Sequence, residues 1–486
     1  MIYKLRPYQE ECVKSISDYI NSDRHDPVLI VGPVGCGKSL LIAEVARLMG
    51  DKTLILQPSK ELLQQNHDKI TSYGIPATIY SASCGKKELS NMIYATLGSI
   101  KKVVDKLKEM GIRNVLIDEA HAGYSPEDGS EFMTFMNELK PRKVIGFTAT
   151  PCRLKTMSIG QVSYSQLNFI TRMRPVYFKN LIHVIQVEEM IRQGFWTPLK
   201  YEIWDFNGDA LKLNSNGSEY TAESISEAVR KNGLNNLILR RLMVLKDVCR
   251  SILVFMDSVE SCNTAAEWMN AKICAGMAEV VHGGTPKKQR EAIVERFKSG
   301  KTNVVFNYSA LGTGFDHPGL DCVIVGRPTF SFSSFYQWLG RAVRIKDGKD
   351  SALVVDCCNN SSRFGDIRKL SIENYKGYGW GMFIGDKLIT NIPMGDKVTK
   401  TDLDIKAAKK DRRRGLAQGV TAAPVPGRPD HPLGSTVMTF GKYCGWMLHS
   451  IPVSYFKFIN ETFDWDNNRN KDIKEYIDFL IKNNRL

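Results

Sequence analysis

The stretch Val28-Leu29-Ile30-Val31-Gly32-Pro33-Val34-Gly35-Cys36-Gly37-Lys38-Ser39 runs an apolar segment straight into G-x-x-x-x-G-K-S. It predicts a buried strand, a glycine loop and a helix over Leu40 to Leu48. Gly32, Gly35 and Gly37 let such a loop fold with its N–H groups turned inward around an anion, and the helix N-terminus favours the same charge. Lys38 then supplies a point charge to the β- and γ-phosphates of a nucleotide, and Ser39 offers a hydroxyl to Mg2+. Gly35, Cys36, Gly37, Lys38 and Ser39 are therefore candidate ATP-binding residues. The bland alternative is a glycine turn between strand and helix, and the residues downstream decide between the two.

Composition narrows the classes. With 486 residues, 43% hydrophobic and 24% charged, the chain has room for about two to four globular domains. Lys and Arg number 66 against 52 Asp and Glu, a formal net charge of +14, which suits a polyanionic partner such as nucleic acid. No apolar run approaches the roughly 18 residues of a membrane span, and Met1-Ile2-Tyr3-Lys4-Leu5-Arg6 has no signal-peptide core, so a cytoplasmic protein without membrane partners is expected. The 11 cysteines are scattered without a CxxC pair, and Cys357-Cys358 are adjacent. Reduced thiols are expected, and no zinc.

Before the glycine loop, Leu5-Arg6-Pro7-Tyr8-Gln9 opens a helical segment. The Gln9 amide has the donor and acceptor needed to read an adenine edge, with Arg6 or Tyr8 packing nearby, although a helix-surface glutamine is the plainer reading of the residue alone. From Lys52 to Thr150 short apolar strands (Thr53 to Gln57, Ala77 to Tyr80, Ile93 to Leu97, Asn114 to Asp118, Lys143 to Thr148) alternate with helical stretches such as Lys60 to Tyr73 and Gly98 to Met110. That rhythm predicts a parallel sheet covered by helices, with ligands beyond the carboxyl ends of the strands. Val115-Leu116-Ile117-Asp118-Glu119-Ala120-His121 sets two carboxylates at such an end. Asp118 stands where it can hold Mg2+, and Glu119 is placed to orient and deprotonate an attacking water. Phe147-Thr148-Ala149-Thr150-Pro151 follows another strand, and its hydroxyls can bond the D-E-A-H turn.

G-x-x-x-x-G-K-S, D-E-A-H and T-A-T-P in this order resemble the first motor domain of superfamily 2 helicases. A less regular region runs from about Cys152 to Lys246, and strand rhythm resumes at Ser251 to Phe255, Ala278 to His282, Asn303 to Asn307, Cys322 to Val325 and Ala352 to Asp356. This predicts a second domain of the same kind without its own phosphate loop. In Ser309-Ala310-Leu311-Gly312-Thr313-Gly314-Phe315-Asp316 the glycines permit close approach to a phosphate, making Gly314 and Asp316 nucleotide-binding candidates. Gln337-Trp338-Leu339-Gly340-Arg341-Ala342-Val343-Arg344 predicts Gln337, Arg341 and Arg344 on one helix face. The family pattern makes these arginines catalytic fingers that meet the γ-phosphate when the second domain closes over the first. The fold class is thus α/β: two tandem RecA-like parallel-sheet domains, at 1–155 and 156–385, with a small C-terminal α+β module.

More narrowly, L-R-P-Y-Q (Leu5 to Gln9), K-E-L (Lys60 to Leu62), T-A-T-P-x-R-L (Thr148 to Leu154), I-x-x-G-x-x-T-P (Ile191 to Pro198) and T-G-F-D (Thr313 to Asp316) resemble the RadD-type branch. The resemblance implies a DNA-stimulated ATPase in recombination, repair or replication, a monomeric motor using ATP and Mg2+ on single-stranded, forked or branched DNA. The cysteine zinc module common at the C-terminus of that branch has no counterpart here. A translocase that does not separate strands, or an RNA helicase, is the alternative, because phosphate tracking ignores base identity.

Residues 386–432 read as a basic, proline-containing linker: Lys406, Lys409, Lys410 and Arg412 to Arg414 cluster ahead of Pro424, Pro426, Pro429 and Pro432. The basic run either adds phosphate contacts or is simply solvated. In 433–486, F-G-K-x-x-G followed by I-P-x-x-Y resembles a small module of phage and exonuclease-associated proteins, which suggests a phage or mobile-element source. Lys442, Tyr443 and Trp446 suit either DNA stacking or core packing.

Overall fold

The computed structural model describes residues 4–50, 52–159, 162–311 and 315–407, and beyond these 433, 436–439, 443, 446–451, 453–462, 465 and 470–483. Two compact units result, residues 1–375 with 379–399, and residues 376–378 with 400–486. Among the described residues no helix is long and apolar enough to cross a membrane.

The first unit opens with α1 (Pro7–Asn21), and the apolar segment before the glycine loop forms β1 (Val28–Val31), buried at all four residues. There follow α2 (Lys38–Met49), β2 (Thr53–Leu56), α3 (Lys60–Ser72), β3 (Thr78–Ser81), β4 (Lys86–Lys87), β5 (Met92–Ala95), α4 (Leu97–Ile100), α5 (Val104–Glu109), β6 (Asn114–Ile117), α6 (Glu131–Leu139) and β7 (Lys143–Thr148). The helix expected over Gly98 to Met110 is interrupted between α4 and α5, where Val103 leaves helical geometry at φ −128° and ψ 26°. Consecutive β-branched residues, Val103 and Val104, crowd the preceding turn there.

After β7 the chain makes the antiparallel hairpin β8 (Cys152–Ile159) and β9 (Val162–Phe169), then β10 (Asn180–Val184). β10 returns to pair with β1 in parallel, so the first sheet takes in chain well past residue 155, where the sequence suggested a boundary. The eight strands run in the order β10-β1-β7-β6-β2-β5-β3-β4, parallel except for the β3–β4 pair. Their Val/Ile/Leu runs are apolar on both faces because helices cover both faces of the sheet.

The second sheet is built from β11 (Leu199–Ile203), β12 (Ile252–Phe255), β13 (Ala278–His282), β14 (Val304–Tyr308), β15 (Cys322–Val325) and β16 (Ala352–Asp356). It is parallel throughout, in the order β11-β16-β15-β12-β14-β13. β11 lies in the stretch that reads as irregular, and it pairs along all five residues with β16. One apolar core runs from β1 and α2 through Trp196, Tyr336 and Leu339 to Phe255 and Val325, so the two sheets share packing around their facing ends.

A third, antiparallel sheet corrects the expected linker. Strands β17 (Leu370–Tyr375) and β18 (Gly379–Ile384) are joined by β19 (Lys387–Leu388), which pairs with β18, and by β20 (Val398–Thr399), which pairs with β19. Leu388 and Thr390 are buried, so residues 387–399 belong to the folded first unit rather than to a tether. Of the basic cluster, Lys406 lies in a helical segment at 400–407, while Lys409, Lys410 and Arg412 to Arg414 and the four prolines fall outside the described residues.

The second unit has its own core of Met438, Leu448, Ile451, Phe456, Ile459, Ile473, Tyr476, Ile477 and Leu480, carried mainly by helices Val453–Thr462 and Lys471–Lys482. Its described extended structure is the single bridge Val437↔Met447. Tyr443 packs edge-on against Tyr455, with ring centroids 4.7 Å apart, which favours the core reading, whereas Trp446 remains 42% exposed. Lys442 lies outside the described residues.

Candidate nucleotide-binding site

The glycine loop closes as the sequence predicts. Gly35 and Gly37 take φ of +82° and +80°, the left-handed region that glycine enters without strain, and Gly37 caps α2. A side chain at 37 would also meet the Gln9 amide nitrogen at 2.6 Å. At this loop, at the carboxyl ends of β1 and β6, lies a cavity of about 320 Å3. It is lined by Arg6, Gly35, Gly37, Lys38, Ser39, Asp118 and Glu119 from the first sheet's side, and by Asp316, Gln337, Arg341 and Arg344 from the second. Eleven of the residues singled out from sequence thus meet at one place. Gln9 and Cys36 sit behind the loop instead, and Gly314 lies outside the described residues.

Gln9 is 3% exposed, and its amide is engaged at both ends. The oxygen accepts from the Arg6 N–H (2.9 Å), and the nitrogen donates to the Cys36 carbonyl (2.9 Å), to which the Tyr8 hydroxyl also donates (3.1 Å). In this arrangement Gln9 braces α1 against the phosphate loop. The aromatic surface near the loop comes from Phe195, which sequence reasoning passed over: it lines the cavity, carries the Arg6 guanidinium 4.6 Å over its ring, and meets Tyr8 edge-on at 5.3 Å. Its neighbour Trp196 donates to the Val34 carbonyl (2.8 Å), tying the I-x-x-G-x-x-T-P segment to the phosphate loop.

Lys38 forms an ion pair with Glu119, both largely buried. Burial works against both charges, yet Glu119 and Asp118 together hold the Lys38 pKa above the ordinary lysine value, and Lys38, with Arg341 adding less, holds Glu119 below the ordinary carboxylate value. Asp118 moves the other way, to about 6, because burial and the adjacent Glu119 outweigh the attraction of Lys38. Glu119 itself has φ +46°, a turn that carries its carboxylate out from the end of β6.

The metal candidates are linked by Asn66, a residue the motifs did not flag. Ser39 Oγ donates to Asn66 Oδ1 (2.6 Å), and Asn66 Nδ2 donates to Asp118 Oδ2 (2.9 Å) and to Gln57 Oε1 (3.1 Å). A hydroxyl and a carboxylate held this way form an oxygen-only donor set of the kind Mg2+ prefers. Glu119 Oε2 is buried and, among the described residues, makes no hydrogen bond, with His121 Nδ1 3.3 Å away, which leaves it an acceptor for a water molecule. Lys38, Lys69, Arg341 and Arg344 around the same cavity fit a polyphosphate.

A chain of contacts leads from the carboxylates to the second sheet. His121 Nδ1 lies 3.3 Å from Glu119 Oε2 and 2.8 Å from Thr148 Oγ1; burial pulls its pKa down to about 4, so it is neutral. Thr148 Oγ1 accepts from the Thr150 N–H (3.0 Å), and Thr150 Oγ1 accepts from Ser333 Oγ (2.7 Å) on α7 (Phe332–Leu339). Arg153, in the T-A-T-P-x-R-L stretch, caps the D-E-A-H turn by donating to the carbonyls of His121 and Tyr124 (2.6 Å each).

The arginines do not ride on a helix face. α7 stops at Leu339, and residues 341–343 form turns in which the N–H groups of Arg341 and Ala342 donate to the carbonyls of Trp338 and Leu339. The cause is packing. Gly340 lies so close to the phosphate loop that a Cβ there would meet Val34 Cγ2 at 2.5 Å, and the chain beyond is pulled off the helix axis by Thr197, whose N–H donates to Val343 O (2.8 Å) and whose hydroxyl donates to Arg344 O (2.7 Å). Both arginines still reach the cavity. Each donates to the Phe315 carbonyl (2.6 and 2.9 Å), and Arg344 pairs with Asp316 (2.6 Å), so the Asp316 carboxylate is occupied by an arginine. Burial, followed by repulsion from Arg344, lowers the Arg341 pKa to about 9, with Asp316 and Glu119 opposing the shift.

Two family models match in order: the res subunit of type III restriction enzymes over residues 2–153, and the helicase conserved C-terminal domain over 235–346. A "51.5 kDa protein" of Lactococcus phage (isolate 7-9) is 25% identical over 332 residues, 68% of this chain and 65% of the relative. IRC3 of Saccharomyces cerevisiae (strain ATCC 204508 / S288c), whose name provisionally calls it an ATP-dependent helicase, is 23% identical over 378 residues, 74% of this chain and 52% of the relative. The chain thus spans between half and two thirds of the length of these relatives. Among solved structures, the DNA-bound ATP-dependent type ISP restriction-modification enzyme LlaBIII superposes with a TM-score of 0.54 at 15% identity, over 74% of this chain and 28% of that one, a likeness of fold. A restriction-enzyme res-subunit match on the first sheet and a helicase C-terminal match on the second, over two parallel sheets that meet at one phosphate loop, make the chain similar to the superfamily 2 helicases.

Proposed function

We propose that this chain is an ATP-driven motor on DNA, which unwinds or remodels single-stranded, forked or branched substrates in recombination, repair or replication. The observation that carries the reading is the shared cavity: the phosphate loop and carboxylates of one sheet face two arginines held by the other. Ser39 and Asp118 would hold Mg2+, which supplies charge neutralisation across the phosphates. Lys38, now paired with Glu119, gains a stronger partner in a phosphate chain, and that leaves the Glu119 carboxylate to take a proton from water. Arg341 and Arg344 stabilise charge on the transferring group only while the two sheets stay closed, which makes hydrolysis the event that loosens the clamp. The contacts from His121 through Thr148 and Thr150 to Ser333 offer the route by which nucleotide state reaches the second sheet.

DNA as the track is supported by the net charge of +14, by the motif set resembling the RadD-type branch, and by a fold neighbour bound to DNA. A second reading, translocation without strand separation, is favoured by the restriction-enzyme model on residues 2–153. ATPase rates with single-stranded, duplex, forked and four-way DNA and with RNA, run beside strand displacement on the fork, test both. Stimulation with displacement supports the helicase, stimulation by duplex without displacement supports the translocase, and stimulation by RNA alone contradicts both.

A further inference from the structure

Lys349 lies outside every motif, three residues past the end of the matched helicase model. Its ammonium donates to three backbone carbonyls: Ala342 (2.7 Å), Arg344 (2.9 Å) and Pro318 (3.1 Å). An ammonium has three N–H donors, and each has an acceptor here. Two of those carbonyls belong to the turn that carries Arg341 and Arg344. The third belongs to the loop that presents the Phe315 carbonyl, which both guanidiniums grip, and Asp316, which pairs with Arg344. The arginines therefore join turn and loop from the cavity side, and Lys349 joins the same two segments by their backbones. Burial works against its charge and lowers its pKa to about 8, with Asp321 opposing and Arg344 and Lys346 adding to the shift, so the site costs the lysine something that its three bonds offset.

We infer that Lys349 is a positioning residue for ATP hydrolysis, holding the Arg341–Arg344 turn in register with the Phe315–Pro318 loop so that both guanidiniums face the γ-phosphate. The inference rests on the proposed role of the arginines. It requires that loss of Lys349 slow the chemical step while leaving nucleotide binding, which depends on the Lys38 loop, nearly intact.

The test compares the full-length parent with K349M, K349R and R344A, reading kcat and KM for ATP at saturating DNA and the melting temperature of each. K349M should lose roughly 10- to 100-fold in kcat, the scale of an ångström-level misplacement, with KM changed less than about threefold. K349R, which restores donors to the carbonyls, should recover part of the loss. R344A separates the two layers of the argument. If R344A loses kcat while K349M keeps the parental value, or if K349M loses only melting temperature, the inference is overturned and the arginine reading stands. If R344A itself keeps parental kcat, the arginine reading falls and takes the inference with it.

Discussion

Lys38, Asp118 and Glu119 were legible because their motifs encode chemistry in short runs of sequence, whereas Asn66 was not, because its role exists only where α3 packs against α2 and reaches Asp118 past the end of β6. It links Ser39 to Asp118 by hydrogen bonds of 2.6 and 2.9 Å. Partners that orient metal ligands in this way are typically worth 10- to 100-fold in metal affinity or activity. Asn66→Ala should therefore raise the Mg2+ concentration for half-maximal ATPase by roughly 10-fold, while an unchanged Mg2+ titration would remove Asn66 from the site. Asp118, raised to about 6 by burial and Glu119, predicts an acidic limb. The carboxylate needed for Mg2+ is present above that pKa and lost below it, so kcat/KM should fall as pH drops through about 6; a profile flat to pH 4.5 would contradict the shift. Gln9 shows the opposite limit of sequence reading. Its chemistry suggested adenine, but burial and the Cys36 carbonyl make it a brace.

At the scale of elements, strand-helix alternation revealed the parallel sheets because each buried strand is a short, wholly apolar run. It could not reveal β10 and β11, whose partners β1 and β16 are more than 140 residues away in sequence. Nor could spacing show that α7 stops at Leu339, since the reason lies in the phosphate loop pressing on Gly340. That contact is testable. Gly340→Ala places a methyl 2.5 Å from Val34 Cγ2 and 2.7 Å from its Cβ, an overlap of the kind that costs about 1–3 kcal/mol when a packed site cannot yield. The expected result is a fall in kcat, partly restored by adding Val34→Gly, which removes both clashing atoms. A double variant no better than Gly340→Ala alone would show that the loop contact is not what sets the turn.

At the scale of the whole molecule, the expected tether from 386 was wrong in its first part for a reason that composition hides: β19 and β20 have two residues each, too short to show a pattern, and they are ordered by pairing, β19 with β18 and β20 with β19. Truncation should reflect this. Removing 400–486 leaves the antiparallel sheet whole and should preserve the melting temperature and the maximal ATPase rate of the first unit, while raising the DNA concentration for half-stimulation, more steeply at higher salt. Removing 386–486 strips β18 of its neighbour and exposes the core around Leu388, and should lower the melting temperature by several degrees. Equal stability of the two truncations would contradict the sheet's contribution.

Whether two sheets complete one hydrolytic site is tested most directly by steady-state ATP hydrolysis by Arg344→Ala at saturating single-stranded DNA, set beside its nucleotide dissociation constant. The predicted result is a loss of about 10^3-fold or more in kcat with the dissociation constant within a few-fold of the parent. Parental kcat, or an equal loss in both quantities, would contradict it.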